Sequence, residues 1–130
     1  EISATYRPSK YFRLKGSHAY YITSNSESDT RPHTLTAKVE YVEQSELKYL
    51  PNIILSGKWV SGSDIYEEKD TFTHYAPYSI WRLQLSKKLP YHFVVNAGID
   101  NLFDYVTPTT SFYSSITPGR TYFVGLKWNL

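Results

Sequence analysis

The stretch Phe93-Val94-Val95-Asn96-Ala97-Gly98-Ile99-Asp100 decides the fold. Together with the preceding Tyr91, the odd positions form one apolar row: Phe93, Val95, Ala97 and Ile99. His92, Val94, Asn96, Gly98 and Asp100 form a second and more polar row. Period-2 alternation is the mark of a strand with two different faces. Immediately upstream, Trp81, Leu83 and Leu85 alternate with Arg82, Gln84 and Ser86. At the end of the chain, Tyr122, Val124, Leu126, Trp128 and Leu130 alternate with Thr121, Phe123, Gly125, Lys127 and Asn129.

The same pattern runs back to the start. Ile2, Ala4 and Tyr6 form a first strand. Phe12, Leu14, Gly16, His18, Tyr20 and Ile22 oppose Arg13, Lys15, Ser17 and Tyr21. Leu35, Ala37, Val39 and Tyr41 oppose Thr34, Thr36, Lys38 and Glu40, and Ile53, Leu55, Gly57 and Trp59 oppose Ile54, Ser56 and Lys58. No window repeats apolar residues at helical spacing. The expected fold is all-β, an antiparallel up-and-down meander of seven long strands. Its connections alternate in length. Residues 7–10, 44–48 and 87–90 are short, whereas 23–31, 62–74 and 102–119 read as long polar loops. One end of such a sheet carries only short turns and the other only long loops, as outer-membrane barrels do. The strands run to about 9–12 residues, the length a tilted strand needs to cross a bilayer.

Composition narrows the classes. The chain has 130 residues, which allows one domain or part of one. A net charge of +2 leaves no electrostatic footprint for nucleic acid. The chain has no cysteine, so disulfide frameworks and thiolate metal sites are excluded. No apolar run approaches the ~20 residues of a membrane helix. Methionine is absent too, and Glu1 is expected to be an internal residue of a longer protein whose targeting peptide lay upstream.

Alternation alone does not say which face is wet. A soluble seven-stranded β-sandwich, serving as a binding or adhesin-like module, would turn the apolar rows into a core. Two features favour a membrane barrel. Aromatic residues sit towards the ends of the apolar rows, at Phe12, Tyr20, Tyr41, Trp59, Trp81, Tyr91, Tyr122 and Trp128, where interfacial girdles belong. Small residues sit mid-row at Gly16, Ala37, Gly57 and Ala97, where a sandwich core would need volume. On the barrel reading, Leu14, Leu35, Val39, Leu55, Trp59, Trp81, Leu83, Phe93, Val95, Tyr122, Val124, Leu126 and Trp128 face lipid. Arg13, Lys15, Lys38, Glu40, Lys58, Arg82 and Lys127 face a polar lumen, pairing with one another or holding a plug.

The run Val94 to Asp104, containing Asn101-Leu102-Phe103-Asp104, is followed by Pro118-Gly119-Arg120 and the terminal strand through Leu130. Residues 92–130 in this arrangement resemble the C-terminal end of TonB-dependent outer-membrane receptors. Arg31-Pro32-His33-Thr34-Leu35 is similar to a less specific motif of that family. The resemblance implies a C-terminal section, residues 1–130, of a 22-stranded transmembrane barrel that carries an N-terminal plug. It implies uptake of a scarce nutrient, such as a ferric siderophore, haem or cobalamin, across the outer membrane of a Gram-negative bacterium, with the C-terminus periplasmic. Implied partners are outer-membrane lipid, the remaining strands and plug, the TonB complex and a surface lipoprotein. Gly125, Trp128 and Leu130 resemble the assembly signal read by the barrel-insertion machinery. Leu130 replaces the commoner Phe, and Phe123 stands where a polar residue is usual. Another barrel class, such as a porin, is the alternative within the membrane.

No enzyme, cofactor or metal is expected. His18 and His33 flank one loop, but no histidine pair has ligand spacing. Asp64, Glu67, Glu68 and Asp70 lack a calcium-loop pattern. The serines have neither a nucleophile elbow nor a base. Candidate extracellular ligand contacts are His74 and Tyr75 at the mouth of one loop, and Tyr105, Phe112 and Tyr113 in the last.

Overall fold

A computed structural model describes residues 1–21, 32–42, 50–67, 71–106 and 118–128, with side chains undescribed at 64–67 and 71–73. These residues form nine strands and no helix. In order they are β1 (Ile2–Tyr6), β2 (Phe12–Tyr20), β3 (His33–Tyr41), β4 (Asn52–Val60), β5 (Ser63–Glu67), β6 (Thr71–Tyr75), β7 (Tyr78–Lys88), β8 (Phe93–Asp100) and β9 (Thr121–Trp128). Seven lie side by side in one sheet, in the order β1-β2-β3-β4-β7-β8-β9. Every neighbouring pair is antiparallel. The sheet is an open meander with β1 and β9 as edges.

Register keeps the two faces apart across all six pairings. Tyr6 lies opposite Leu14, Leu14 opposite Val39, Val39 opposite Leu55, and Leu55 opposite Leu83. Leu83 lies opposite Ile99, and Ile99 opposite Tyr122. A slip of one residue at any pairing would mix the faces. The apolar-row residues that lie in the described strands therefore share one face, and Arg13, Lys15, Lys38, Glu40, Lys58, Arg82 and Lys127 share the other.

Among the described residues, neither face is covered by a second layer. Val60, at 4% exposure, is the one buried hydrophobic residue among those described, whereas Val124 on the edge is 82% exposed. The chain exposes 10160 Å², against about 7,100 Å² for a compact monomer of its mass. A β-sandwich divides its strands between two facing sheets. Here seven lie in one, so the sandwich expectation is not met within the described residues.

Two rows of rings border the apolar face. Tyr6, Phe12, Tyr41, Phe93 and Trp128 stand at the end with the shorter connections, with Phe12 and Tyr41 centroids 5.1 Å apart and Phe93 and Trp128 5.9 Å apart. Tyr20, Trp59 and Tyr122 stand at the other end. From Phe12 to Tyr20 the strand climbs eight residues, about 26 Å along its axis at ~3.3 Å each. Between the belts runs a lane of small residues, Ala4, Gly16, Ala37 and Gly57, in successive register, closed by Trp81. The Trp81 ring lies over Gly57, so that a Cβ there would fall 2.3 Å from it. On the opposite face the Phe123 ring covers its partner Gly98 in the same way. Rings laid over strand glycines restore contact that the missing side chains give up. This accounts for Phe123, an aromatic residue where a polar one was expected.

Several boundaries differ from the sequence reading. Residues 62–74 were expected to form a polar loop. They instead contain the hairpin β5–β6, in which Ser63 lies opposite Tyr75 and Asp64 opposite His74. Its polar composition hides the alternation. The break from β4 falls at Gly62, where a Cβ would come within 2.7 Å of the Tyr75 carbonyl oxygen. Tyr91 and His92 do not begin a strand. Both adopt left-handed backbone, with φ of 60° and 64°, in the turn closed by the Leu89 amide donating to the Phe93 carbonyl at 2.8 Å. The strand containing Phe12 ends at Tyr20, before Ile22. The connections run over residues 7–11, 42–51 and 89–92 at one end, against 21–32, 61–77 and 101–120 at the other. The asymmetry is kept, most weakly between 42–51 and 21–32. The connection expected at 44–48 lies outside the described residues, as does the stretch 23–31.

The glycine contacts set an ordering of substitutions. Gly98→Ala drives its Cβ to 2.5 Å from the Leu83 carbonyl oxygen, and is expected to cost about 1–3 kcal/mol. Gly16→Ala meets nothing closer than 3.7 Å, and is expected to be neutral or to gain about 0.4–1 kcal/mol. Denaturant midpoints of the chain refolded in detergent micelles measure both.

Candidate functional site

At the end bearing the longer connections, β8 leads directly into Asn101-Leu102-Phe103-Asp104. Asn101 and Asp104 both have left-handed backbone, with φ of 53° and 59°. Asn and Asp enter that region more readily than other side-chain-bearing residues. Asn101 is 4% exposed. Its Nδ2 donates to the carbonyls of Tyr105, at 2.6 Å, and Pro118, at 3.0 Å, while its Oδ1 accepts from the Tyr105 amide at 2.9 Å. One side chain thus ties together both feet of the β8–β9 connection. Asp104 Oδ1 accepts from the Arg120 amide at 2.6 Å and sits 3.0 Å from where a Cβ on Gly119 would be. The Leu102 amide donates to the Trp81 carbonyl at 2.8 Å and fastens the foot to β7. The segments Asn101 to Asp104 and Pro118 to Arg120 are therefore two halves of one clamp.

The rings proposed as ligand contacts are placed in different ways. Tyr105 stacks on Tyr78, with centroids 4.9 Å apart and planes 11° off parallel. Its foot is fixed by Asn101, so the ring is held at the head of β7. His74 is exposed and Tyr75 half-buried at the base of the hairpin, and both carry further interactions. Phe112 and Tyr113 lie outside the described residues, as do Glu68 and Asp70. Of the assembly-signal residues, Gly125 and Trp128 lie on the edge strand β9, Gly125 with no atom within 4 Å of a built Cβ. Leu130 lies outside the described residues.

The polar face carries paired and unpaired charge. Glu40, 8% exposed, receives Arg13 Nη1 at 3.3 Å and Lys38 Nζ at 2.5 Å. Arg82 Nε pairs with Asp100 Oδ1. Lys15, Lys58 and Lys127 make no ion pair among the described residues. Lys15 lies directly opposite Lys38 in register, a like-charge pair that disfavours the sheet by itself. The described strands therefore bring Arg13, Lys15, Lys38, Lys58, Arg82, Lys88 and Lys127 to this face against Glu40 and Asp100. Arg13 Nε is buried without a hydrogen-bond partner. Two open hollows line the face. One, about 440 Å³, is bordered by Lys15, Ser17, Thr36 and Lys38. The other, about 510 Å³, is bordered by Lys58, Arg82, Asp100 and Thr121.

Sequence reasoning missed one cluster. His18 on β2 and His33 on β3 stand on the apolar face at the long-connection end, with His18 Nε2 and His33 Nδ1 3.0 Å apart. Tyr20 lies beside them, its ring centroid 4.7 Å from that of His33. Fifteen residues separate the pair in sequence, so a short spacing motif cannot find it. The alternation shared by β2 and β3 does, once the register is known. No group of three or more His, Cys, Asp or Glu side chains is placed to share a metal ion among the described residues.

Comparison with known protein families, characterised proteins and solved structures gave no match.

The clamp sets a measurable expectation. Asn101→Ala removes three hydrogen bonds, which should cost about 2–4 kcal/mol. Asn101→Asp sets a carboxylate oxygen against the Tyr105 and Pro118 carbonyls that Nδ2 serves, so it should cost at least as much. Unfolding midpoints should fall, and protease cleavage within the β8–β9 connection should speed up, in both variants.

Proposed function

We propose that this chain is a section of the wall of a transmembrane β-barrel in the outer membrane of a Gram-negative bacterium, belonging to a TonB-dependent transporter that takes up a scarce nutrient. The observation that carries the reading is the single uncovered sheet, apolar with two aromatic borders on one face and charged on the other. In water an apolar face of that extent marks a site of association. In a bilayer it is the lipid-facing wall, and the charged face lines a lumen.

The edges add a constraint. Six antiparallel pairings make β1 and β9 run in the same direction. Joining them to each other, or β9 to the β1 of a second copy inserted in the same orientation, would force a parallel pair into an antiparallel barrel. Closure therefore takes an odd number of further strands, alternating in direction. The fifteen remaining in a 22-stranded barrel satisfy this, whereas a second copy inserted in the same orientation does not alternate correctly. Unpaired edges are prohibitive in lipid, so those strands are needed for insertion.

The excess of cations and the unpartnered Arg13 Nε support a partner of complementary chemistry on the lumen side, a role the plug of such a transporter fills. The residues 92–130 carry the resemblance that selects this transporter class over a porin. In that reading Asn101 and Asp104 shape an extracellular loop, and Trp128 stands at the periplasmic rim.

Two experiments test the proposal. The protein should fractionate with the outer membrane, migrate faster unheated than boiled in gel electrophoresis, and support nutrient uptake only in cells with an energised TonB system. Uptake without TonB would favour the porin class, and recovery as a soluble monomer would overturn the membrane reading. Gly125→Ala should leave the unfolding midpoint unchanged, because the added Cβ meets nothing within 4 Å, yet lower the amount inserted in cells. Unchanged insertion would remove Gly125 from the assembly signal.

A further inference from the structure

His18 and His33 belong to neighbouring strands but are not direct register partners. His18 lies opposite Leu35, and His33 lies opposite Tyr20. Their rings therefore meet along a diagonal of the sheet. The planes are 13° from parallel and the centroids 5.3 Å apart, whereas the facing nitrogens are only 3.0 Å apart. That combination places the rings edge to edge, nitrogen towards nitrogen. Neutral imidazole has one N–H and one lone pair, so one ring donates to the other.

Two imidazole nitrogens bound to a single cation at ~2.0–2.1 Å stand about 2.8–3.0 Å apart at a right angle and about 3.3–3.4 Å apart in a tetrahedron. The observed 3.0 Å lies at the upper end of the right-angle range. Turning each ring about its Cβ–Cγ bond, a broad torsion for His, swings both nitrogens towards one point. Beside them is a hollow of about 390 Å³ bordered by Glu1, Ile2, His18, Tyr20 and His33, with room for water to complete the coordination shell. The backbone beneath is fixed, because the His33 amide donates to Ser61 Oγ at 3.1 Å and the His33 carbonyl accepts from the Ser61 amide at 2.9 Å.

We propose that His18 and His33 form a two-imidazole site for a divalent transition metal of the Zn²⁺, Ni²⁺ or Cu²⁺ class. Neutral imidazole is a favoured ligand for these ions. On binding, the ring that held the shared proton moves it to its own second nitrogen through solvent. Both facing nitrogens then offer lone pairs, and no net proton is released. The metal links β2 to β3 near the end of the sheet where residues 21–32 connect them. The site does not rest on the transporter reading, since it needs only the β2–β3 register.

Calorimetric titration of the full chain in detergent, first stripped with a chelator and then given NiCl₂, tests it. One saturable site per chain is expected. His18→Asn and His33→Asn should each weaken binding by roughly tenfold or more, and His92→Asn should leave it unchanged. Circular dichroism of each variant establishes that the sheet is intact. Absence of saturable binding by the unaltered chain, or binding that survives either single substitution in a folded variant, overturns the site. Failure to find the protein in the outer membrane would bear on the proposed function alone.

Discussion

Everything in this sheet depends on an unbroken register between neighbouring strands. Side chains alternate with a period of two, so each pairing either preserves the division between apolar and polar faces or inverts it. Six consecutive pairings preserve it. The consequence is a sheet with chemically opposite sides and, among the described residues, no second layer over either. A soluble domain buries one such face to offset the entropy of folding. Among the described residues Val60 is the one buried hydrophobic residue, so they supply no such contact for the apolar face.

The same constraint explains the residue types at special positions. Where Gly57 and Gly98 leave a strand without a side chain, the register partners Trp81 and Phe123 lay rings across the gap, one on each face. Where the chain leaves β8, Asn101 and Asp104 take up left-handed backbone and satisfy the polar groups that the end of the ladder would leave open. Tyr91 and His92 take up the same conformation in a turn without such compensation. Nothing in the structure explains why these two bulky residues occupy it.

Much of this was legible in the sequence, because period-2 alternation is a local signal. The rows containing Leu14, Val39, Leu55, Leu83, Val95 and Leu126 could be assigned to one face without knowing their neighbours, and the register brings them together. The hairpin β5–β6 was not legible, since Ser63, Asp64, Thr71 and Thr73 look like loop residues whichever conformation they adopt. The proximity of His18 and His33 was hidden for another reason: it depends on which residues of two strands lie opposite, a matter of register rather than spacing. The clamp was visible only as a motif. Its physics, one amide side chain spanning Tyr105 and Pro118, needed the geometry. Phe112, Tyr113 and Leu130 lie outside the described residues, so the parts of the candidate site that rest on them gain nothing from the fold.

Contact between the apolar face and lipid can be read residue by residue, since these 130 residues contain no cysteine and any elsewhere in the protein can be replaced by serine. Single cysteines placed in turn from 121 to 128 on β9, spin-labelled in the bilayer-reconstituted full-length protein, report accessibility to oxygen, which concentrates in lipid, and to a polar nickel chelate, which stays in water. Oxygen accessibility is expected to oscillate with a period of two and to peak at 122, 124 and 126, with the nickel signal out of phase. Low accessibility to both reagents at 122, 124 and 126, as in a protein core, would contradict contact with lipid.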